Sequence, residues 1–90
     1  MSKKSKQVES ALNHFAGLQS KTGTWKGLPF YHTFHALSRA DDPLAKKQLG
    51  KALPSVIRRQ NSDGSWGRKE PQTETFLVLD ALKNIDMVEQ

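Results

Sequence analysis

Cysteine is absent from the sequence, so disulfide bonds, thiolate zinc sites and a cysteine nucleophile are excluded. Long apolar runs are also absent, whereas a membrane-spanning helix needs roughly 20 consecutive apolar residues. No apolar segment follows the basic residues at the N-terminus, so they do not resemble a secretory signal. These features predict one small domain behind a disordered basic tail over residues 1–7, and we expect a cytoplasmic location.

Positive charge is in excess, which raises the question of a nucleic-acid partner. The formal net charge is +5, because 14 lysine and arginine residues outnumber 9 aspartate and glutamate residues. Some basic residues lie in the predicted tail, and most others are dispersed along the chain, apart from the pairs Lys46-Lys47, Arg58-Arg59 and Arg68-Lys69. Net charge is a weak functional signal, so we favour a solvated basic surface over nucleic-acid binding.

The chain contains an internal repeat. The segment 19–25 (QSKTGTW) is matched by the segment 60–66 (QNSDGSW), an offset of 41 residues from 19 to 60. Upstream, at the same offset, Ala11-Leu12 matches Ala52-Leu53. Downstream the offset is 42 residues from 29 to 71, and it relates Pro29, Thr33, Phe34 and Leu37 to Pro71, Thr75, Phe76 and Leu79. A repeat of about 40 residues is the length of a two-helix unit.

Apolar spacing assigns two helices to each repeat. The first helix of each copy has apolar residues three and four apart, and the second is apolar on most sides, which predicts deeper burial. Asp42 before Pro43 is the expected N-cap of the third helix, and Pro54 is expected to kink that helix. The sequence predicts an all-α fold with helices over 8–19, 29–40, 43–60 and 71–85, in repeats of about 8–41 and 42–85.

A glutamine, a glycine and a tryptophan lie between the two helices of each repeat. The glycine can adopt the left-handed backbone conformation that turns the chain after a helix. The tryptophan supplies a large apolar plane, and the glutamine can bond loop backbone groups that lack partners. We therefore expect a structural loop that staples the two helices together, formed by Gln19, Gly23 and Trp25 in one copy and Gln60, Gly64 and Trp66 in the other.

The pattern Gln-x-x-x-Gly-x-Trp before an apolar helix resembles the QW motif of squalene and hopene cyclases, which belong to one superfamily with protein prenyltransferase β subunits. In that superfamily such repeats build an α/α toroid. The helix before the motif lies outside, and the helix after it lines the central cavity. The resemblance therefore implies outer helices over 8–19 and 43–60 and inner helices over 29–40 and 71–85. It implies structural roles for the glutamines and tryptophans.

The catalytic groups of these families are missing from the sequence. The Asp-x-Asp-Asp acid of the cyclases is absent, and the pair Asp41-Asp42 is more simply a helix cap. The zinc site of the prenyltransferases needs a cysteine, and His32 and His35 alone do not make a metal site. We expect no catalytic residue, metal or cofactor in this chain, and we interpret the histidines as helix-surface residues.

A candidate surface for an apolar ligand or a partner lies at the starts of the two predicted inner helices. Its aromatic rings could contact an isoprenoid, although we favour the alternative that the rings fill the interface between repeats. The residues concerned are Phe30, Tyr31, His32, Phe34 and His35 in the first copy and Gln72, Thr73, Glu74 and Phe76 in the second.

The leading functional hypothesis is a non-catalytic α/α repeat module that associates with itself or with further repeats of a parent protein. Two repeats leave open flanks, and repeat architectures normally need at least about three repeats. The alternative is a portion of an isoprenoid-processing enzyme, a terpene cyclase or prenyltransferase whose catalytic residues lie outside these positions. A compact monomeric four-helix bundle is the counter-interpretation to self-association.

Overall fold

The computed structural model describes residues 6–89, and this part of the chain folds into four α-helices. They are α1 (Lys6–Leu18), α2 (Phe30–Ser38), α3 (Pro43–Arg59) and α4 (Pro71–Glu89). The predicted all-α fold is thus confirmed. Residues 1–5 of the predicted tail lie outside the described residues, and α1 begins two residues before the predicted helix start. None of the helices over residues 6–89 has the length and apolar character that a membrane span requires.

Proline and aspartate mark the helix starts much as the sequence predicts. Pro43 and Pro71 are the first residues of α3 and α4, and Pro29 immediately precedes α2. The Asp42 carboxylate accepts the backbone N–H of Leu44 at 2.9 Å, so Asp42 is the N-cap of α3. These residues satisfy or remove backbone donors that have no partner inside the helix.

Pro54 lies within α3, which is nevertheless one helix from Pro43 to Arg59. Pro54 and Gly50, whose carbonyl the proline ring would meet, are both exposed. Because this side of α3 faces away from the core, the helix can adjust there without disturbing buried side chains. A kink at Pro54 stays a prediction.

Equivalent helices of the two repeats lie side by side. Helix α1 packs against α3, α2 packs against α4, and α2 also contacts α3. The described part of the chain measures 40 × 29 × 20 Å and shares one apolar core, whose members with the least exposed surface are Trp25, Phe34, Leu37, Ala45, Ala52, Val56, Val78 and Ala81. This arrangement gives each repeat one face toward the other repeat and one face away from it.

Helices α2 and α4 differ in burial although their sequences correspond. Phe34 and Leu37 of α2 are 0% and 2% exposed, because α2 contacts both α3 and α4. Their counterparts Phe76 and Leu79 of α4 are 63% and 55% exposed. The prediction of burial on more than one side therefore holds for α2 and is wrong for the face of α4 that carries these two residues.

Candidate functional site

The loop after α1 (residues 19–29, the first loop) and the loop after α3 (residues 60–70, the second loop) share one internal geometry. Gln19 Nε2 donates to the Gly23 carbonyl at 2.9 Å, and Gln60 Nε2 donates to the Gly64 carbonyl at the same distance. In each loop the residue after the glutamine donates its N–H to the carbonyl four residues later, at 2.7 Å in both. Gly23 and Gly64 have φ angles of 93° and 92°, the region that favours glycine.

Both loop tryptophans are buried, and both indole N–H groups have partners. Trp25 is 2% exposed and donates Nε1–H to the side-chain oxygen of Gln48 at 3.0 Å. Trp66 is 6% exposed and donates Nε1–H to the Val56 carbonyl at 2.8 Å. Trp25 is thus bonded to a helix of the other repeat, whereas Trp66 is bonded to the helix that precedes its own loop.

Gln48 of α3 forms hydrogen bonds to three residues of the first repeat. Its side-chain oxygen accepts from Trp25, its Nε2 donates to the Leu12 carbonyl at 3.0 Å, and its backbone carbonyl accepts from Gln19 Nε2 at 2.9 Å. Gln48 is 3% exposed, and buried polar groups of this kind stabilise only when all partners are in place. Gln48 was not among the residues predicted from the sequence, although its position beside Leu49 in an otherwise apolar stripe was a signal for it.

The first loop lies directly on the backbone of α3. A Cβ atom at Gly23 would overlap the Lys51 carbonyl oxygen and would lie 2.6 Å from the Ala52 Cα atom. The Ser55 hydroxyl donates to the Thr22 carbonyl in the same contact. Ala52 is fully buried beneath the loop. Only glycine at position 23 allows this approach, so its role is docking as well as turning.

The second loop has the same hydrogen-bonded turn, but within residues 6–89 no helix approaches Gly64 as α3 approaches Gly23. Gly64 is exposed, and the nearest atom to a Cβ built there is Gln60 Nε2 at 3.8 Å. At the other end of the described chain, Ala11 of α1 is exposed, whereas its counterpart Ala52 is buried. Gly64 and Ala11 are therefore the counterparts of two residues that contact each other inside the chain, Gly23 and Ala52, and both counterparts are exposed. We call the surfaces around Gly64 and Ala11 the two halves of a possible contact.

We name these halves by their residues. The loop half-site consists of Gln60, Asp63 and Gly64, which correspond to the docked residues of the first loop. The α1 half-site consists of Gln7, Ser10, Ala11 and His14, which stand 41 positions before Gln48, Lys51, Ala52 and Ser55. All members of both half-sites are exposed.

The predicted ligand or partner surface at the starts of α2 and α4 is not one surface. Phe30 and Phe34 are buried in the core, where their rings stack with centroids 6.2 Å apart, so neither is available to a ligand. The exposed members are His32, Gln72, Thr73 and Phe76, whereas Tyr31, His35 and Glu74 are half-buried. The interpretation that the rings fill space between helices therefore applies to Phe30 and Phe34.

His35 links α2 to α4. Its Nε2 donates to Asp80 Oδ2 at 2.7 Å, and Asn84 Nδ2 reaches the same oxygen at 3.5 Å. The hydrogen bond from His35 is the main cause that holds the pKa of the Asp80 carboxyl below its ordinary value of 3.8, against the opposing effect of burial. This contact explains the position of His35 without any ligand.

No group of three metal-ligating side chains occurs within the described part of the chain. His14 and His32 are exposed on different helices, and His35 is occupied by Asp80. Comparisons with protein-family models, with curated proteins and with solved structures found no match.

Proposed function

We propose that this chain is a non-catalytic α/α repeat module that associates head to tail with further copies of itself. In this assembly the loop half-site of one copy docks on the α1 half-site of the next. The observation that supports the proposal is the contact already present inside the chain. Ala52 is fully buried beneath Gly23, while the corresponding Ala11 and Gly64 are both exposed.

The same head-to-tail arrangement would also cover the apolar face of α4. Phe34 and Leu37 are buried because α2 lies beside α4, and Phe76 and Leu79 are the corresponding residues of α4. Placing α2 of the next copy beside α4 would bury Phe76 and Leu79 in the same way. One head-to-tail arrangement would thus cover both the exposed pair Ala11 and Gly64 and the apolar face of α4. Repeat proteins bury their exposed flanks against neighbouring repeats in this way.

Contacts of this type are heterologous, because different surfaces of the two copies meet. They form a ring if the rotation between copies closes and a filament if it does not. The resemblance to α/α toroid repeats favours closure, and a ring of three copies would supply six repeats. This part of the proposal depends on the resemblance, whereas the head-to-tail contact depends on the geometry of Gly23 and Ala52.

The test changes Ala11, which is exposed and can accept a longer side chain in the free module. Ala11→Gln places that side chain where the next copy's loop would touch the helix backbone, so association should weaken by about tenfold or more. Ala16→Gln is the matched control on the same helix, because the counterpart Ile57 is 70% exposed and lies outside the contact between repeats.

The measurement is light scattering coupled to size exclusion over a concentration series. We expect the parent chain and Ala16→Gln to exceed the 10.1 kDa monomer mass as concentration rises, and Ala11→Gln to remain monomeric over the same range. A parent chain that stays monomeric at high micromolar concentration would reject the proposal. Equal association by the two variants would reject the α1 half-site.

A further inference from the structure

An open cleft with a volume of about 640 Å³ lies between the end of α3 and the first and last residues of the second loop. Four cationic side chains line it: Arg58 and Arg59 at the end of α3, and Arg68 and Lys69 near the end of the second loop. Tyr31 and Glu74 also contribute to its walls. Two basic pairs that stand about ten positions apart in the sequence are thus gathered around one space.

The arginines of α3 are held in place by neutral groups. Arg58 Nη2 donates to the Ser55 hydroxyl at 3.1 Å, and the Arg59 guanidinium lies 4.4 Å from the centre of the Phe30 ring. Among the side chains that the structure describes, none of the four cations of the cleft forms an ion pair with a carboxylate. The two arginines of α3 are therefore partly fixed in space, and Glu74 is the one carboxylate that lines the cleft with the four cations.

The positions of the two basic pairs differ in their relation to the helices. Arg58 and Arg59 stand in the last turn of α3, where positive charge is favourable to the helix dipole. Arg68 and Lys69 precede Pro71, the first residue of α4, where the dipole favours negative charge instead. Helix stability therefore does not explain Arg68 and Lys69.

The charge of the cleft points to a ligand with more than one negative group. Four cations and the single carboxylate of Glu74 leave an excess of three positive charges, from 4 minus 1. The volume lies within the range of about 300–1,000 Å³ that is typical of small-molecule sites. Arginine forks suit phosphate oxygens, and most of the lining is polar, which fits phosphate groups rather than a hydrocarbon chain.

We propose that this cleft binds a small ligand carrying two or more phosphate groups, with Arg58, Arg59, Arg68 and Lys69 as its phosphate contacts. Two sources share this chemistry: a soluble nucleoside triphosphate and a membrane headgroup with several phosphates. The cleft adjoins the loop half-site, because Gln60 belongs to both, but the proposed phosphate contacts are not members of that half-site. The variants that test it leave Gln60, Asp63 and Gly64 unchanged.

The first experiment titrates the full chain with inorganic tripolyphosphate by isothermal calorimetry at low salt. Arg68→Gln/Lys69→Gln should raise the dissociation constant by about tenfold or more, because two charge-assisted contacts are lost. Lys46→Gln/Lys47→Gln is the matched control, because it removes the same net charge at two exposed positions of α3 outside the cleft. We expect the control to change the constant by less than about threefold.

Thermal melting of both variants accompanies the titration, since the four substituted residues are exposed and the fold should be retained. Adenosine triphosphate and phosphatidylcholine vesicles with a bisphosphorylated inositol lipid then separate the two sources. Selective binding to either supports the proposal and identifies its source. The proposal would be overturned if the two double variants weakened binding equally. It would also be overturned if the chain bound neither tripolyphosphate, adenosine triphosphate nor the lipid vesicles. Tighter binding of a single-stranded oligonucleotide at equal phosphate concentration would also overturn it, in favour of nucleic acid.

Discussion

The first and second loops have the same internal hydrogen bonds but different surroundings. In both, the glutamine side chain closes the turn on the glycine carbonyl at 2.9 Å, and the tryptophan is buried. Within the described residues, the first loop is also docked on a helix of the other repeat, through the Gln19–Gln48, Ser55–Thr22 and Gly23–Ala52 contacts, and Gly64 of the second loop has no such contact. The loop conformation is therefore a local property of seven residues, whereas docking needs a second helix with a small residue in the right place.

This difference separates two reasons for a glycine at the same motif position. Gly23 needs both a positive φ and the absence of a Cβ atom, because α3 backbone atoms occupy the space where Cβ would lie. Gly64 needs the positive φ, while the space beside it is open within the described residues. If copies dock head to tail, Gly64 acquires the second requirement as well.

The largest expected effect comes from removing either tryptophan. Trp25→Ala and Trp66→Ala should each lower the free energy of unfolding by about 3–5 kcal/mol, because each leaves a cavity and an unpaired buried acceptor. Such a loss is most of the stability of a small domain. Urea unfolding and thermal unfolding, both followed by circular dichroism at one fixed chain concentration, measure it. A Trp66→Ala protein that melts within about 2 °C of the parent would show that the second loop is not a staple.

The glycine pair tests the comparison most directly. Gly23→Ala should cost about 3–4 kcal/mol, since backbone strain at positive φ adds to a collision with α3. Gly64→Ala should cost about 1–2 kcal/mol, from strain alone. Both losses are read from urea unfolding of dilute protein, where copies are separate. Equal losses would mean that the close approach of Gly23 to Ala52 contributes nothing.

Gln48 and its counterpart Gln7 form the next pair. Gln48→Ala leaves the buried Trp25 indole N–H without its partner and removes one donor from the Leu12 carbonyl, and it should cost about 2–3 kcal/mol. Gln7→Ala, on the exposed side of α1, should change stability by no more than about 0.5 kcal/mol. Amide hydrogen exchange of the first loop provides the local readout. Unchanged protection in Gln48→Ala would contradict its role as the link between loop and helix.

The sequence was sufficient for the four helices because their signals are local. Apolar spacing, Asp42 and the prolines act within one or two turns, and the repeat itself located both loops. The burial of Gln48 and the exposure of Ala11 could not be predicted in this way. Both depend on which helix lies against which loop, and Ala11 and Ala52 have the same local sequence signal while their environments differ.

The different burial of residues in the candidate surface at the starts of α2 and α4 could not be predicted for a related reason. Phe34 and Phe76 correspond in the repeat, yet one is fully buried and the other is 63% exposed. An internal repeat in the sequence predicts that equivalent residues lie on equivalent faces of their helices. It does not predict how many other helices pack against each copy. The basic cleft was missed because its two pairs become neighbours only when the second loop returns to the end of α3.

The smallest expected effect is the loss at low pH of the stability that Asp63 contributes to the second loop. Thr22, its counterpart in the first loop, is neutral and does not titrate. The Ser65 hydroxyl donates to Asp63 Oδ1 at 2.6 Å and the Ser65 N–H donates to it at 3.0 Å. These bonds hold the pKa of the Asp63 carboxyl below its ordinary value of 3.8. Stability from this group is therefore present above pH 3.8 and is lost as the pH falls through the lower folded pKa.

An amide titration by NMR between about pH 6 and pH 2 can resolve this difference, because the Ser65 amide bonds the titrating carboxylate directly. The Ser65 resonance should shift with a midpoint below 3.8, while the resonance of Thr24, its counterpart in the first loop, should show no such step. Asp63→Asn is the control, since its amide oxygen can still accept from Ser65 but has no proton to gain in this range. Its Ser65 resonance should become independent of pH. A midpoint at or above 3.8 in the parent chain would mean that the Ser65 bonds do not stabilise the carboxylate.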